Sequence, residues 1–133
     1  MKKIGFPLFT LIFGAVCYAA PSSKNPFAGF YVDEGYAKRK QGYDWVGVHV
    51  EPLKNRHYRV VVKSRNDIKK PTCSGSFIAK PATKHTLSAD SEAGRFYLVF
   101  RKNKLDIRSK NKTTLHYFCS GGGSLAGEYR KIR

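Results

Sequence analysis

Residues 45–51 alternate: Val46, Val48 and Val50 fall on one face, and Trp45, Gly47, His49 and Glu51 on the other. The same period returns over residues 56–65, where Tyr58, Val60 and Val62 oppose His57, Arg59, Val61, Lys63 and Arg65. Pro52-Leu53-Lys54-Asn55 turns the chain between the two runs. Residues 95–101 repeat the pattern, with Phe96, Leu98 and Phe100 set against Tyr97 and Val99. Period-2 alternation in β-branched and aromatic residues predicts half-buried strands. Shorter runs at 28–32, 73–79, 85–89, 105–107, 115–119 and 125–132 extend the series. Polar stretches at 33–43, 66–72 and 109–113 and the glycine run at 120–124 separate them as loops. No stretch carries a 3.6-residue repeat. The expected fold is all-β: a small antiparallel barrel or sandwich of about eight strands.

The two ends of this plan share a pattern. Ala28-Gly29-Phe30-Tyr31 and Ala126-Gly127-Glu128-Tyr129 both read small-Gly-x-Tyr. A closed barrel pairs its first and last strands to remove its edges. Two similar end strands, placed side by side, would do this.

The N-terminus follows a different rule. Lys2 and Lys3 open the chain, an apolar run spans residues 4–16, and Ala19 and Ala20 precede polar Pro21-Ser22-Ser23-Lys24. A positive start, an apolar middle and a small-residue exit make a secretory signal peptide over residues 1–20, cleaved near Ala19/Ala20. The run is short for an anchor, which takes about 20 apolar residues. Cys17 lacks the leucine three positions ahead that marks a lipidated cysteine. The expected product is a periplasmic or secreted chain with a mobile leader over 21–27. Residues 21–133 form its single all-β domain, with no transmembrane segment.

That address changes the reading of the cysteines. Cys73 and Cys119 remain after cleavage, an even pair in an oxidising compartment, and are expected to form a disulfide. No cluster of Cys, His, Asp or Glu has metal-ligand spacing, so neither metal nor cofactor is expected. Charge narrows the partners. The chain has 25 Lys+Arg against 9 Asp+Glu, a net +16, and loss of Lys2 and Lys3 with the leader leaves +14. Solubility needs a magnitude of only about 2–8. An excess this large draws polyanions.

The cations are grouped. Arg56, Arg59, Lys63 and Arg65 belong to one expected strand; Arg101, Lys102, Lys104 and Arg108 surround one expected turn. These residues are the candidate anion-binding surface, with Trp45, His57 or Tyr97 available for stacking. The expected partner is an anionic macromolecule: a glycan, lipopolysaccharide, nucleic acid or acidic protein. Catalysis has less support. His49, His57 and His116 could form the acid–base set of a basic ribonuclease, with His49 and His57 meeting across a hairpin. No local motif singles them out, and no nucleophile elbow or phosphate loop is present. The expectation is a binding protein without a catalytic residue.

Ala93-Gly94-Arg95-Phe96-Tyr97 and Ser74-Gly75-Ser76-Phe77 bring in a resemblance. A signal peptide, about 110 further residues, short strands and one disulfide are similar to the layout of small periplasmic inhibitors of c-type lysozyme. In that family an exposed Ser-Gly-x-x-Tyr loop enters the lysozyme cleft. The first segment here lacks the serine and the second lacks the tyrosine. The resemblance implies a small β-barrel and an inhibitor of lysozyme or another hydrolase. Gly29-Phe30-Tyr31 and Arg130 also resemble the Gly-x-Trp and arginine pattern of lipocalin-type barrels.

Overall fold

The computed structural model describes residues 25–64 and 72–133. The expected signal peptide, Cys17 and Arg65 lie outside the described residues. Eight antiparallel strands run up and down in chain order and close into a barrel. They are β1 (Gly29–Val32), β2 (Val46–Pro52), β3 (Tyr58–Ser64), β4 (Gly75–Thr83), β5 (Thr86–Ser91), β6 (Gly94–Arg101), β7 (Lys104–Arg108) and β8 (Gly127–Lys131).

The alternation read from sequence becomes the inside and outside of the barrel. Val48 and Val50 of β2, Tyr58, Val60 and Val62 of β3, and Phe96, Leu98 and Phe100 of β6 are buried in one core. Leu87, Ala89, Leu105 and Ile107 fill the remaining wall. Small barrels fill their interior with side chains, and this one follows that rule.

Closure takes place between β1 and β8. Tyr31 pairs with Lys131 and Val32 with Arg130. The seam runs on past the strand: Ile132 N–H donates to Phe30 C=O at 2.9 Å, and Phe30 N–H donates to Arg133 C=O at 2.7 Å. The echo between the two ends extends into their hydrogen bonding. The buried Tyr31 hydroxyl donates to Phe27 C=O at 3.0 Å, and the buried Tyr129 hydroxyl donates to Leu125 C=O at 2.8 Å. Each bond spans four residues and folds the chain back where it enters a seam strand. Gly29 and Gly127, in the bends, hold φ of 156° and 133°, a region that favours glycine. A Cβ on Gly29 would also lie 2.9 Å from the Arg133 carbonyl.

Two stretches depart from expectation. Residues 115–119, expected as a strand, are not one: Lys112–His116 forms a short helix, α1. The Asn111 side chain accepts from Thr113 N–H at 3.0 Å and from the Thr113 hydroxyl at 2.7 Å, which caps the helix. Leu115 then points into the core, so one buried leucine does the work expected of an alternating strand. Residues 25–27, expected as part of a mobile leader, instead cross the mouth of the barrel. Asn25 Oδ1 accepts from the N–H groups of Phe27 and Ala28 at 2.9 and 3.1 Å, and its amide donates to the Tyr58 hydroxyl at 3.1 Å. Phe27, 5% exposed, packs edge-on against Tyr58 and Phe100.

The Cys73–Cys119 disulfide is formed, across a sequence separation of 46. It ties the long β7–β8 connection to the approach to β4. Ser64, 1% exposed, fixes the near end: its hydroxyl accepts from Cys73 N–H and donates to Cys73 C=O, both at 2.9 Å. Closing such a loop stabilises the fold by about 4 kcal/mol on a chain-entropy estimate.

Burial pushes the Tyr31 phenol up to about 12 and raises that of Tyr129 as well. An unfolded tyrosine ionises near pH 10 (roughly its reference value). Below pH 10 both phenols are neutral in both states. Above it the unfolded chain loses protons first, and stability falls until the native phenols also ionise. The Tyr31 shift corresponds to a loss of about 2–3 kcal/mol between roughly pH 10 and 12. Urea unfolding at pH 9 and pH 11.5 should show a smaller drop for Tyr31→Phe than for the parent. Equal drops would contradict the role given to that burial.

Candidate basic rim

Alternate turns of an up-and-down barrel gather at one end. Here the β2–β3, β4–β5 and β6–β7 turns share an end with the start of β1 and the end of β8. The β4–β5 and β6–β7 turns are two residues long, Lys84-His85 between Thr83 and Thr86, and Lys102-Asn103 between Arg101 and Lys104. Asn103 takes φ 56°, which its short amide tolerates. The β2–β3 turn carries Lys54 and Arg56, and Lys131 is the last residue of β8. Main-chain bonds join these pieces: Phe100 N–H donates to His85 C=O at 2.7 Å, and Lys131 N–H donates to Asn103 C=O at 2.9 Å.

A groove of about 470 Å³ opens on this end. Phe27, Tyr31 and Phe100 contribute its apolar part, and Lys84, Arg101, Lys102 and Lys131 its charged part. Phe27 plugs the barrel beneath it. The groove is therefore a surface depression over a filled core.

The structure divides the sequence candidates. Arg56 and Lys102 reach the rim from opposite sides of the barrel; Arg101 borders the rim groove while pairing with Asp106 and Glu128, and Lys104 borders a neighbouring groove with Asp33, Glu34 and Glu128. Arg59 and Lys63 lie on the outer wall of β3, and Arg108 lies on the wall at the far end of β7. The two sequence groups are thus not one strip. Their turn members converge, and their strand members separate. Lys84 and Lys131 are rim residues that sequence grouping missed. Lys84 follows Lys80 by four residues and Lys131 stands between Arg130 and Arg133, but only the hairpin order places the two at one end.

Carboxylates hold several wall cations. Arg59 pairs with Glu51 at 3.4 Å, and Arg95 with Asp90 at 2.7 Å. Asp106 accepts from Arg108 at 2.7 Å and from Arg101 at 3.2 Å. Its hydrogen bonds hold the Arg108 guanidinium above its ordinary range. Arg95 likewise lowers the Asp90 carboxyl. Among the described residues, Lys54, Arg56, Lys84, Lys102, Lys104 and Lys131 show no such pair.

Trp45 does not provide the exposed stacking surface expected. It is 8% exposed and packs edge-on against Tyr36 at 5.1 Å between ring centres. Tyr36 belongs to a 3-10 segment, Glu34–Gln41, which covers the outer wall where a loop was expected. Asp33 caps this segment by accepting from Gly35 N–H at 3.1 Å. Burial raises the Asp33 carboxyl above the usual carboxylate range, against those hydrogen bonds. His57 is exposed and Tyr97 half-buried.

The histidines do not assemble. Val61, not His57, stands opposite His49 in the β2–β3 register. His57 contacts Asn55 C=O at 2.9 Å in its own turn, and His116 contacts Gly123 C=O at 2.8 Å in the β7–β8 connection. Among the described residues no group of three His, Cys, Asp or Glu could hold a metal. No helix among them is long and apolar enough to cross a membrane.

Both segments behind the lysozyme-inhibitor resemblance run into strands. Gly75 opens β4 and Gly94 opens β6, and Phe77 and Phe96 meet in the core with ring centres 5.1 Å apart. In comparisons with protein-family models, curated proteins and solved structures, this chain matches none.

Arg56 has one further property. It holds φ 60° directly after Asn55 at φ 59°. A non-glycine residue in this region is strained by about 1–2 kcal/mol. Arg56→Gly should therefore raise stability by about 1 kcal/mol in urea unfolding while removing a rim charge. A destabilised variant would show that the arginine side chain holds the turn.

Proposed function

We propose that this protein is an exported, non-catalytic binding protein whose basic rim engages an anionic partner. One observation carries the reading. Cations from three hairpin turns and the C-terminal segment meet at one end of a rigid barrel. The nearest carboxylate in sequence to the β2–β3 turn, Glu51, pairs with Arg59 on the wall. A concentrated field of one sign steers and holds polyanions. Rigid hairpins present it at little ordering cost. The strained Arg56 adds support, since strained residues are found at functional sites. The disulfide supports the oxidising compartment that export would provide.

A salt series with duplex DNA as the polyanion tests the rim. Each lost phosphate contact lowers the slope of log K against log salt by about 0.9. The variant Lys84→Gln/Lys102→Gln/Lys131→Gln should lose between two and three such contacts (roughly 2 in slope). The charge-matched control Lys38→Gln/Lys110→Gln/Lys112→Gln, at the other end of the barrel, should change little. Equal losses in both variants would reduce the rim to part of a diffuse charge.

A further inference from the structure

A second groove, of about 430 Å³, lies on the outer wall away from the rim groove. Phe30, Trp45, His49 and Lys63 line it, together with Arg39 and Arg133. Phe30 projects from β1 and His49 from β2, as register partners. Lys63 stands on β3 opposite Gly47. A Cβ on Gly47 would lie 2.8 Å from the Phe30 ring and 3.2 Å from Trp45. Glycine at that position lets both rings settle against the wall and form the floor.

The two guanidiniums are mounted in the same manner. Arg39 lies over the face of Tyr36 at 3.9 Å and also donates to the Tyr36 carbonyl at 2.8 Å. Arg133 lies over the face of Phe30 at 5.0 Å. Tyr36 and Phe30 meet edge to face, with ring centres 6.0 Å apart. A guanidinium stacked on a ring keeps its N–H edge free for a planar or tetrahedral oxyanion, and part of its entropy is already lost. Neither arginine forms an ion pair with a described carboxylate, and no acidic residue lines the groove.

We propose that this groove binds a phosphoryl group, gripped by the stacked guanidiniums of Arg39 and Arg133 with Lys63 completing the charge. A monocarboxylate has two oxygens and one charge, too few for this donor set. A phosphate monoester presents three terminal oxygens and close to two charges. The ring floor would meet the organic part that carries it. A groove of this size is within the range of small-molecule sites, roughly 300–1,000 Å³. The same phosphoryl chemistry is carried by a soluble sugar phosphate and by a phospholipid headgroup. This groove shares no lining residue with the rim groove, although Arg133 follows the rim residue Lys131 by two positions, and it does not rest on the rim reading.

Trp45 is the chain's single tryptophan, so its fluorescence reports on this groove. Titration with glucose 1-phosphate should change its emission saturably, and acetate at equal ionic strength should not. Arg39→Gln and Arg133→Gln should each weaken binding by about tenfold or more. Arg39→Lys, which keeps the charge but loses the stacked fork, should weaken it nearly as much. The rim variant Lys84→Gln/Lys102→Gln/Lys131→Gln should stay within about twofold of the parent. Vesicles containing phosphatidic acid form the second arm. Binding to the vesicles alone, lost in the arginine variants, supports the site and assigns it to a lipid headgroup. Binding to glucose 1-phosphate alone, with the same loss, supports it and assigns it to a soluble ligand. Arginine variants that bind both probes like the parent would overturn the proposal. So would acetate matching glucose 1-phosphate, or the rim variant losing as much affinity as the groove variants.

Discussion

The β1–β8 seam is the constraint on which both candidate surfaces depend. A barrel of eight short strands has no unpaired edge only if its ends meet. Here they meet through two register pairs and a continuation to Arg133. Tyr31 and Tyr129 bend the chain into the seam from either side by equivalent hydrogen bonds. Without that closure Lys131 would not join the β6–β7 turn, and Arg133 would not cover Phe30. The core also depends on it, since Phe27, Tyr31 and Phe100 meet where the seam reaches the barrel mouth.

Charge is distributed according to which strands carry acids. Glu51, Asp90 and Asp106 lie on strands, where exposed wall arginines reach them. Such exposed pairs contribute little to stability, but they reduce the local field. The turns at the basic rim carry lysines, an arginine and histidines instead. The large net charge is thus partly offset along the wall and stands out at both ends, in the rim turns and in the connections that carry Lys38, Lys110 and Lys112. The wall groove differs again: its two arginines are held by aromatic rings, and Arg39 spends one donor on the Tyr36 carbonyl.

The barrel was legible because alternation is a local property of each strand. Val46 to Val50, Tyr58 to Val62 and Phe96 to Phe100 each show it without help from the rest of the chain. The end-to-end echo predicted the neighbours at the seam, and the even cysteine count predicted the disulfide. Residues 115–119 misled because a short capped helix with one buried leucine resembles alternation over so few positions. The capping power of Asn111 was the overlooked signal. Of the surface, Arg56 and the Arg101–Lys104 group were legible as sites of charge. Their convergence with Lys84 and Lys131 depends on hairpin order, which charge grouping along the chain does not contain. Trp45 is less exposed than expected for a related reason: the polar segment that covers it has no apolar periodicity, and Tyr36 from that segment packs on its ring.

The central claim is that one end of the barrel, rather than the whole cationic surface, receives an anionic polymer. Backbone amide chemical-shift mapping during titration with a short heparin oligosaccharide tests it most directly. Rim binding predicts the largest shifts in the turns at 53–57, 84–85 and 102–103 and at Lys131, with little change over 109–126. Shifts spread evenly over both ends, or centred on 109–126, would contradict it.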